Sequence, residues 1–556
     1  MLMILSISCV LLSPVTGVGN MPDASQEGIL KQFRSYEDVA LFHYTVPPET
    51  SRATWEFASF QNERDCAVRE VHIWIQHGSY PVMSPDNSSF PDTMYTKRSD
   101  LQLIKTHSAY SPHDSTIHPV YNPLPGTWYA AAYLTPFEEK IIQQGIHQKC
   151  RYSLGSIALW SVTDNVEQII PHSTKSYVTR KHFSYYKFFI PSNINTFRLT
   201  LSNCSVLTEA HPSIVNKDQC IEYANIRDRA LPKHIPEVDG KSNILKNSTV
   251  VFYEDRPYRD SYYYLLVVSS AKVSFDLKLD YTDCGNPGLY GKKQKNWRMT
   301  EEGLKYNISI TDFDDKEPKH SFQLFTVNLP NDIQENYNLV EDDKDVEQAS
   351  VDDTVCRTTF DFSRIDLAEE FSTNFMLQSK SWYTKWVTVF NRFPIMTRFQ
   401  TMDHSDLGGT VNIQLAMDYI EDTQGQSVEI YGCIEKGREP KVVNDTLECD
   451  EDSEIRIATD EPPHTALMLI PYPEPGTWYL GLQVRCVDPD TRVRVTCWGN
   501  FRFSNLMANL NLHIQPCGYR PSTQICGDYG VCVRSHKGVN MVTSCRCSAG
   551  YRGPSL

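Results

Sequence analysis

The side chains with the most chemical potential in this chain are its cysteines. There are 16, and five crowd into the last 40 residues: Cys517, Cys526, Cys532, Cys545 and Cys547. Clustered thiols serve as metal ligands or as disulfide partners. The spacing C-x8-C-x5-C-x12-C-x-C lacks thiol pairs with two to four residues between them, which a tetrahedral zinc site uses, so it reads as disulfides. His107, His113 and His118 share one polar stretch and read as a surface loop rather than as metal ligands. The acids of "DFDD" at 312–315 and of 331–354 lack the Gly and Glu of a calcium-binding EF-hand loop. No Gly-x-Ser-x-Gly elbow and no His-Glu-x-x-His helix occurs. "DGKSN" at 239–243 has Ile235 where a phosphate loop needs its first Gly. The sequence therefore predicts no catalytic set, no metal and no cofactor.

The thiols need an oxidising compartment, and the N-terminus supplies one. An uncharged apolar run from Met1 to Leu12, with Gly17 and Gly19 before Asn20, reads as a signal peptide over 1–19. The alternative is a buried N-terminal strand. No later run is long and apolar enough to span a bilayer, so no membrane span is expected in the chain as given. Five Asn-x-Ser/Thr triplets, at Asn87, Asn203, Asn247, Asn307 and Asn444, are candidate glycosylation sites. The formal charge is −15, with no block of Lys and Arg interleaved with aromatics, which argues against a nucleic-acid partner.

The elements that would position these groups are strands. Runs such as "AVREVHIWIQ", "YYKFFIP", "KVSFDLKLDY" and "SVEIYGC" alternate or are rich in aromatics, and turn residues separate them. The clearest helical pattern is "TPFEEKIIQQGI" at 135–146. Many short strands predict an all-β chain of tandem antiparallel sandwiches, jelly-roll-like, followed by a small disulfide-rich module. One phrase recurs: "PLPGTWY" at 123–129 and "PEPGTWY" at 473–479. Pro-Gly suits a type II turn, and the strand after it would aim Trp128 and Trp478 into a core. A worn third copy, "PYRDSYYYLLVV" at 257–268, puts Tyr262 in place of the Trp. Three units follow: 36–175, 180–325 and 370–512, with an acidic linker at 326–369. Equivalent positions suggest Cys66–Cys150 and Cys204–Cys284. Cys433–Cys449 and Cys486–Cys497 are the local pairs in the third unit.

The C-terminal spacing, ending in Gly-Tyr-Arg-Gly, resembles an EGF-like module over 513–556. That resemblance implies Cys517–Cys532 and Cys526–Cys545, with a sixth Cys beyond Leu556. Without Cys9, 15 cysteines remain, and a missing sixth partner for Cys547 accounts for the odd number; a degenerate module is the alternative. The combination of "NPLPGTWYAAAYL", a following Cys150 and an EGF-like end resembles the extracellular part of the post-GPI attachment to proteins factor 6 and transmembrane protein 8 family. The resemblance implies a seven-helix membrane domain after the EGF-like module, carrying phospholipase A2 chemistry on GPI anchors. This chain would then be its non-catalytic recognition or presentation ectodomain, at the cell surface, with GPI-anchored or other surface proteins as partners. The alternatives are an adhesion or receptor ectodomain, or a secreted binding glycoprotein.

Overall fold

A computed structural model describes residues 22–83, 94–95, 101–111, 115–136, 149–179, 182–207, 219–233, 240–283, 359–367, 372–378, 383–391, 393–403, 405–417, 427–449, 453–458, 464–488, 490–491, 494–495, 505–515, 530–537 and 540–548. Among them the only helical element is a 3-10 turn at Tyr36–Asp38. Everything else that is regular is strand, as the aromatic and alternating runs predict.

The strands fall into three units with one shared wiring. In unit 1 the eight strands are Ala24–Leu30, Ala40–Val46, Thr50–Gln61, Glu70–His77, Gln102–Ala109, Thr116–Tyr121, Gly126–Leu134 and Tyr152–Val162. One layer runs in the order first, eighth, third, sixth; the other runs second, seventh, fourth, fifth. Unit 2 repeats this order from Thr174–Val178 to Val273–Asp283, with Glu167–Gln168 added beside its second strand. Unit 3 keeps the second-seventh-fourth-fifth order with Ile395–Thr401, Gly476–Val487, Ser427–Lys436 and Glu454–Ala458. This strand order is that of a jelly roll, in which two Greek keys close two sheets over one core. The repeat belongs to the whole unit, and the phrase around Trp128 and Trp478 marks its seventh strand.

The boundaries differ from those the sequence suggested. Ala24–Leu30 pairs with Tyr152–Val162, so unit 1 begins before residue 36. Glu167–Gln168 and Thr174–Val178 pair with unit 2 strands, so unit 1 ends before 175. The acidic linker lies outside the described residues apart from the strand Thr359–Leu367, and the helical pattern lies outside them beyond residue 136.

Each unit has its own core, and the inward phase follows the predicted alternation. Trp128, Ala130, Ala132 and Leu134 face the unit 1 core, where Trp128 packs on Trp55 at 5.1 Å between ring centroids. Trp478, Leu480, Leu482 and Val484 face the unit 3 core. The opposite faces are buried as well. In unit 3 the hairpin of Lys441–Val443 and Thr446–Glu448 covers Gln483, held by the Cys433–Cys449 disulfide. Gln483 accepts the Leu447 N–H at 2.8 Å and donates to the carbonyls of Asp445 and Asn391. A buried amide is tolerated there because each of its ends is bonded.

Cys66 is bonded to Cys150, which joins the loop after the third strand to the residues before the eighth. Cys204 is bonded to Cys220, which overturns Cys204–Cys284. The reason is register. Ile194, at the start of the third strand, lies opposite Asp283, at the end of the eighth. Asp283, the described residue that precedes Cys284 in sequence, is therefore at the far end of that strand pair from Cys204. Ten residues at ~3.3 Å each separate them, roughly five times the Cα distance a disulfide spans. Cys486 is disulfide-bonded, as is Cys532. Cys497, Cys517 and Cys526 lie outside the described residues, as does the Cys545 side chain.

Candidate functional site at the junction of the three repeated turns

The seventh strand of each unit starts at a turn. Gly126 has φ +107° and Gly476 has φ +123°, a region that a Cβ makes costly, which is why both phrases carry Gly. Two residues on, each buried indole bonds back to its own turn. Trp128 Nε1 donates to the Leu124 carbonyl at 2.9 Å, and Trp478 Nε1 to the Glu474 carbonyl at 3.0 Å. The Trp thus fixes the turn as well as filling the core.

In unit 2 the residue in this place is Tyr263, not Tyr262. Trp128 lies opposite Tyr44 and Trp478 opposite Phe399; Tyr263 lies opposite Phe188. Tyr262 is 40% exposed, whereas Tyr263 is buried in the core with Leu265 and Val267. In unit 2 the positive φ falls on Asp260, one residue before Ser261, the counterpart of Gly126. Counting from the turn therefore misplaces the face, because a slip of one residue inverts a strand.

A second feature, absent from the sequence reading, sits beside each turn. The fourth strand of each unit ends at His77, Asp228 or Lys436, opposite the aromatic anchor. The next residue, Gly78, Arg229 or Gly437, has φ of +82°, +60° or +80°. Its N–H donates to the carbonyl of Thr127, Tyr262 or Thr477 at 2.7–2.8 Å. The sequence signal was present as "IQHG", "IRDR" and "IEKG", three four-residue strand ends.

Each turn seats on the strand end of the next unit. From unit 1, Asn122 accepts from Arg227 Nη1 at 2.8 Å and donates from Nδ2 to the Pro232 carbonyl at 2.9 Å. From unit 2, the Arg259 N–H donates to the Gly437 carbonyl, and its guanidinium pairs with Glu439 at 2.9 Å. Two guanidiniums approach the Tyr258 ring, Arg229 at 3.9 Å and Arg438 at 5.2 Å from its centroid. A Cβ on Gly437 would fall 2.8 Å from that ring, so this glycine answers a close approach as well as a backbone angle. From unit 3, the Glu474 carboxylate lies against Gly78, while Tyr472 packs on Tyr36 at 5.0 Å and on Tyr80 at 5.8 Å. Unit 1 seats on unit 2, unit 2 on unit 3 and unit 3 on unit 1. Head-to-tail contacts of this kind close into a ring when the rotation permits.

The middle of the junction is charged. Lys436 Nζ donates to Glu474 Oε2 at 2.7 Å. His77 Nε2 is 2.9 Å from the Pro125 carbonyl, which can only accept, so Nε2 carries the hydrogen and Nδ1 is a bare lone pair. That Nδ1 is buried, with no hydrogen-bond partner among the described residues. Burial holds the His77 imidazole below its usual range; Glu474 and the Pro125 carbonyl pull the other way, and Lys436 and Arg229 add to the lowering. Burial also works against the Arg229 charge, yet Asp228, Tyr258 and Glu474 outweigh it and hold the guanidinium above its usual range. No nucleophile is paired with a base in this set. Among the described residues no group of three or more His, Cys, Asp or Glu is placed to hold a metal. His107 is exposed and His118 is bonded to Gln102 at 2.6 Å; His113 lies outside the described residues.

The hairpin of Gly530–Lys537 and Asn540–Cys547 closes one side. Val542 is buried with Tyr36, Tyr80, Tyr472 and Leu407. The Thr543 N–H and Oγ1 both donate to the Gly408 carbonyl, at 3.0 and 2.6 Å, and the Tyr472 hydroxyl donates to the Thr543 carbonyl at 2.8 Å. The loop that offers Gly408 is held by Arg364, which grips the buried Asp406 carboxylate with two nitrogens. Three candidate glycan acceptors, Asn203, Asn247 and Asn444, are exposed at positive φ; Asn87 and Asn307 lie outside the described residues.

The family model for the PGAP6/TMEM8 beta-sandwich domain matches residues 360–517, which is unit 3. The chain is related to the PGAP6/TMEM8 family. It is similar to post-GPI attachment to proteins factor 6 of Mus musculus, 22% identical over 93% of this chain and 61% of that protein. The Homo sapiens protein of the same name matches at 22% over the same shares. Transmembrane protein 8B of Bos taurus is 25% identical over 27% of this chain and 29% of its own length. The chain thus spans about three fifths of the length of the post-GPI attachment relatives. No described helix is long and apolar enough to cross a membrane.

Proposed function

We propose that this chain is the extracellular recognition ectodomain of a PGAP6/TMEM8-type membrane protein, and that it presents GPI-anchored proteins to a lipid hydrolase housed elsewhere in the whole protein. The observation that carries this reading is the likeness over 93% of the chain to a factor named for acting after GPI attachment. The ring of three jelly rolls supports it: rigid sandwiches joined at turns suit a binding platform, and the charged set at their junction has no nucleophile–base pair. Disulfides at Cys66, Cys204 and Cys433 favour an oxidising, secretory environment. In this reading residues 1–19 are a signal peptide, Asn203, Asn247 and Asn444 carry glycans, and 513–556 is an EGF-like module close to the membrane.

The test uses the whole protein in cells that display a GPI-anchored reporter. Release of the reporter is expected from the whole protein and not from a version without the three jelly rolls that still reaches the surface. The purified chain should capture GPI-anchored proteins without cleaving them. Cleavage by the purified chain would overturn the non-catalytic reading. Binding to other surface proteins, with no release by the whole protein, would favour an adhesion or receptor ectodomain.

A further inference from the structure

Unit 3 meets unit 1 over a buried histidine, and its surroundings disfavour the charged form. His77 comes from the end of the fourth strand of unit 1 and is only 8% exposed. Its own unit contributes the Pro125 carbonyl to Nε2 and the Trp128 ring, 5.6 Å away and edge-on. Unit 3 contributes Glu474 and Lys436, and unit 2 contributes Arg229, which is itself paired with Asp228 at 2.8 Å. The carboxylate that acts on it, Glu474, is already bonded to Lys436. A proton on Nδ1 would place a third cation beside Lys436 and Arg229, whose carboxylate partners, Glu474 and Asp228, are each already taken. Burying a charge without a partner of its own is costly, whereas an imidazolium in water is not.

We propose that the contact between unit 3 and unit 1 is a proton-sensitive joint, closed over a neutral His77 and opened when the pH falls. Opening exposes His77 to water and lets Glu474 remain with Lys436. Burial depresses the imidazole in the closed joint, so closure binds fewer protons than the open form. The stability that His77 gives the joint is present above about pH 6.5, the value for an exposed histidine, and is lost as pH falls through the closed-state value. The apolar part of the same interface carries a second histidine, His43, whose Nε2 is 3.2 Å from the Tyr80 hydroxyl. Tyr129 faces it edge-on, and burial also keeps it below its usual range. The unit 2–unit 3 contact has no histidine among the residues named above and should not respond.

Hydrogen exchange on the full chain tests this, read at amides that bridge units. The Tyr95 N–H donates across the joint to the Leu469 carbonyl at 2.8 Å; the Arg259 N–H reports the unit 2–unit 3 contact. Between about pH 7.5 and about pH 5, after correction for intrinsic exchange, protection at Tyr95 should fall by about tenfold or more, with protection at Arg259 unchanged. In His77→Gln, whose amide can still donate to Pro125 but takes no proton, most of that loss should disappear. An unchanged Tyr95 in the wild type, or an equal loss in His77→Gln, overturns the proposal. If that variant does not fold, Lys436→Met serves instead. It frees Glu474 for a protonated His77, so opening should move to lower pH, and an opening pH that does not move is equally fatal.

Discussion

Unit 3 meets unit 1 through rings, while unit 2 meets unit 3 through charges. At the first contact Tyr36, Tyr80 and Tyr472 interlock with Leu407 and Val542, and Tyr95 from unit 1 enters the unit 3 core, 5.8 Å from Trp478. At the second, Arg256 and Arg259 lie against Glu435 and Glu439, and Arg229 and Arg438 both approach the Tyr258 ring. Unit 2 also reaches unit 1 through a Lys187–Glu49 pair. The same kind of turn makes both contacts. Local chain geometry therefore sets where the units touch, and side-chain chemistry sets how firmly. Apolar burial contributes in proportion to area and ignores salt, whereas a mostly buried ion pair gains little net, because desolvation offsets the attraction, and is screened where water reaches it.

The comparison breaks most visibly at Tyr472. Tyr472→Ala should cost about 3–5 kcal/mol by urea unfolding, because it empties a fully buried site and leaves the Thr543 carbonyl without its donor. The Thr543 amide should lose protection in the same variant. A cost like that of a surface substitution would show the ring contact to be dispensable. Next comes Arg259→Met, expected to cost about 2 kcal/mol, since Glu439 keeps its place while losing its strongest partner. Scattering should then show unit 2 displaced and units 1 and 3 still joined; displacement of all three would erase the distinction. Raising salt from about 0.1 to about 1 M shortens screening from ~10 to ~3 Å and should weaken the unit 2 attachment by less than about 1 kcal/mol. Protection at Tyr95 should hold. The smallest effect belongs to Arg546→Ala, which removes an exposed pair with Glu37 and should leave the unfolding midpoint in place.

Much of the fold was legible. The alternation in "GTWYAAAYL" and "GTWYLGLQV" named the inward residues, and Pro-Gly named the turn. Cys66–Cys150 followed from spacing because both cysteines lie at the same end of one strand pair. Cys204–Cys284 did not, since residue counts do not reveal which end of a strand a cysteine occupies. Tyr262 failed for a related reason, as strand phase is set by the partner strand and not by the turn. The junction was the least legible part. "IQHG" and "IEKG" are too short and too varied to stand out, and only pairing aligns them with the Trp of a distant strand.

Sequence by itself determined the local parts of this protein: all-β strands, the left-handed glycine at each Pro-Gly turn, and a Trp two residues on that faces a core. Those depend on backbone sterics and on a period of two, which neighbouring residues carry. Tertiary structure alone decided that the three turns meet, that each seats on the next unit, and that Glu474, Lys436 and Arg229 gather around a buried His77. The reason is physical: strand registers and unit contacts join residues hundreds of positions apart, and the charge of a buried histidine depends on neighbours that no local stretch contains.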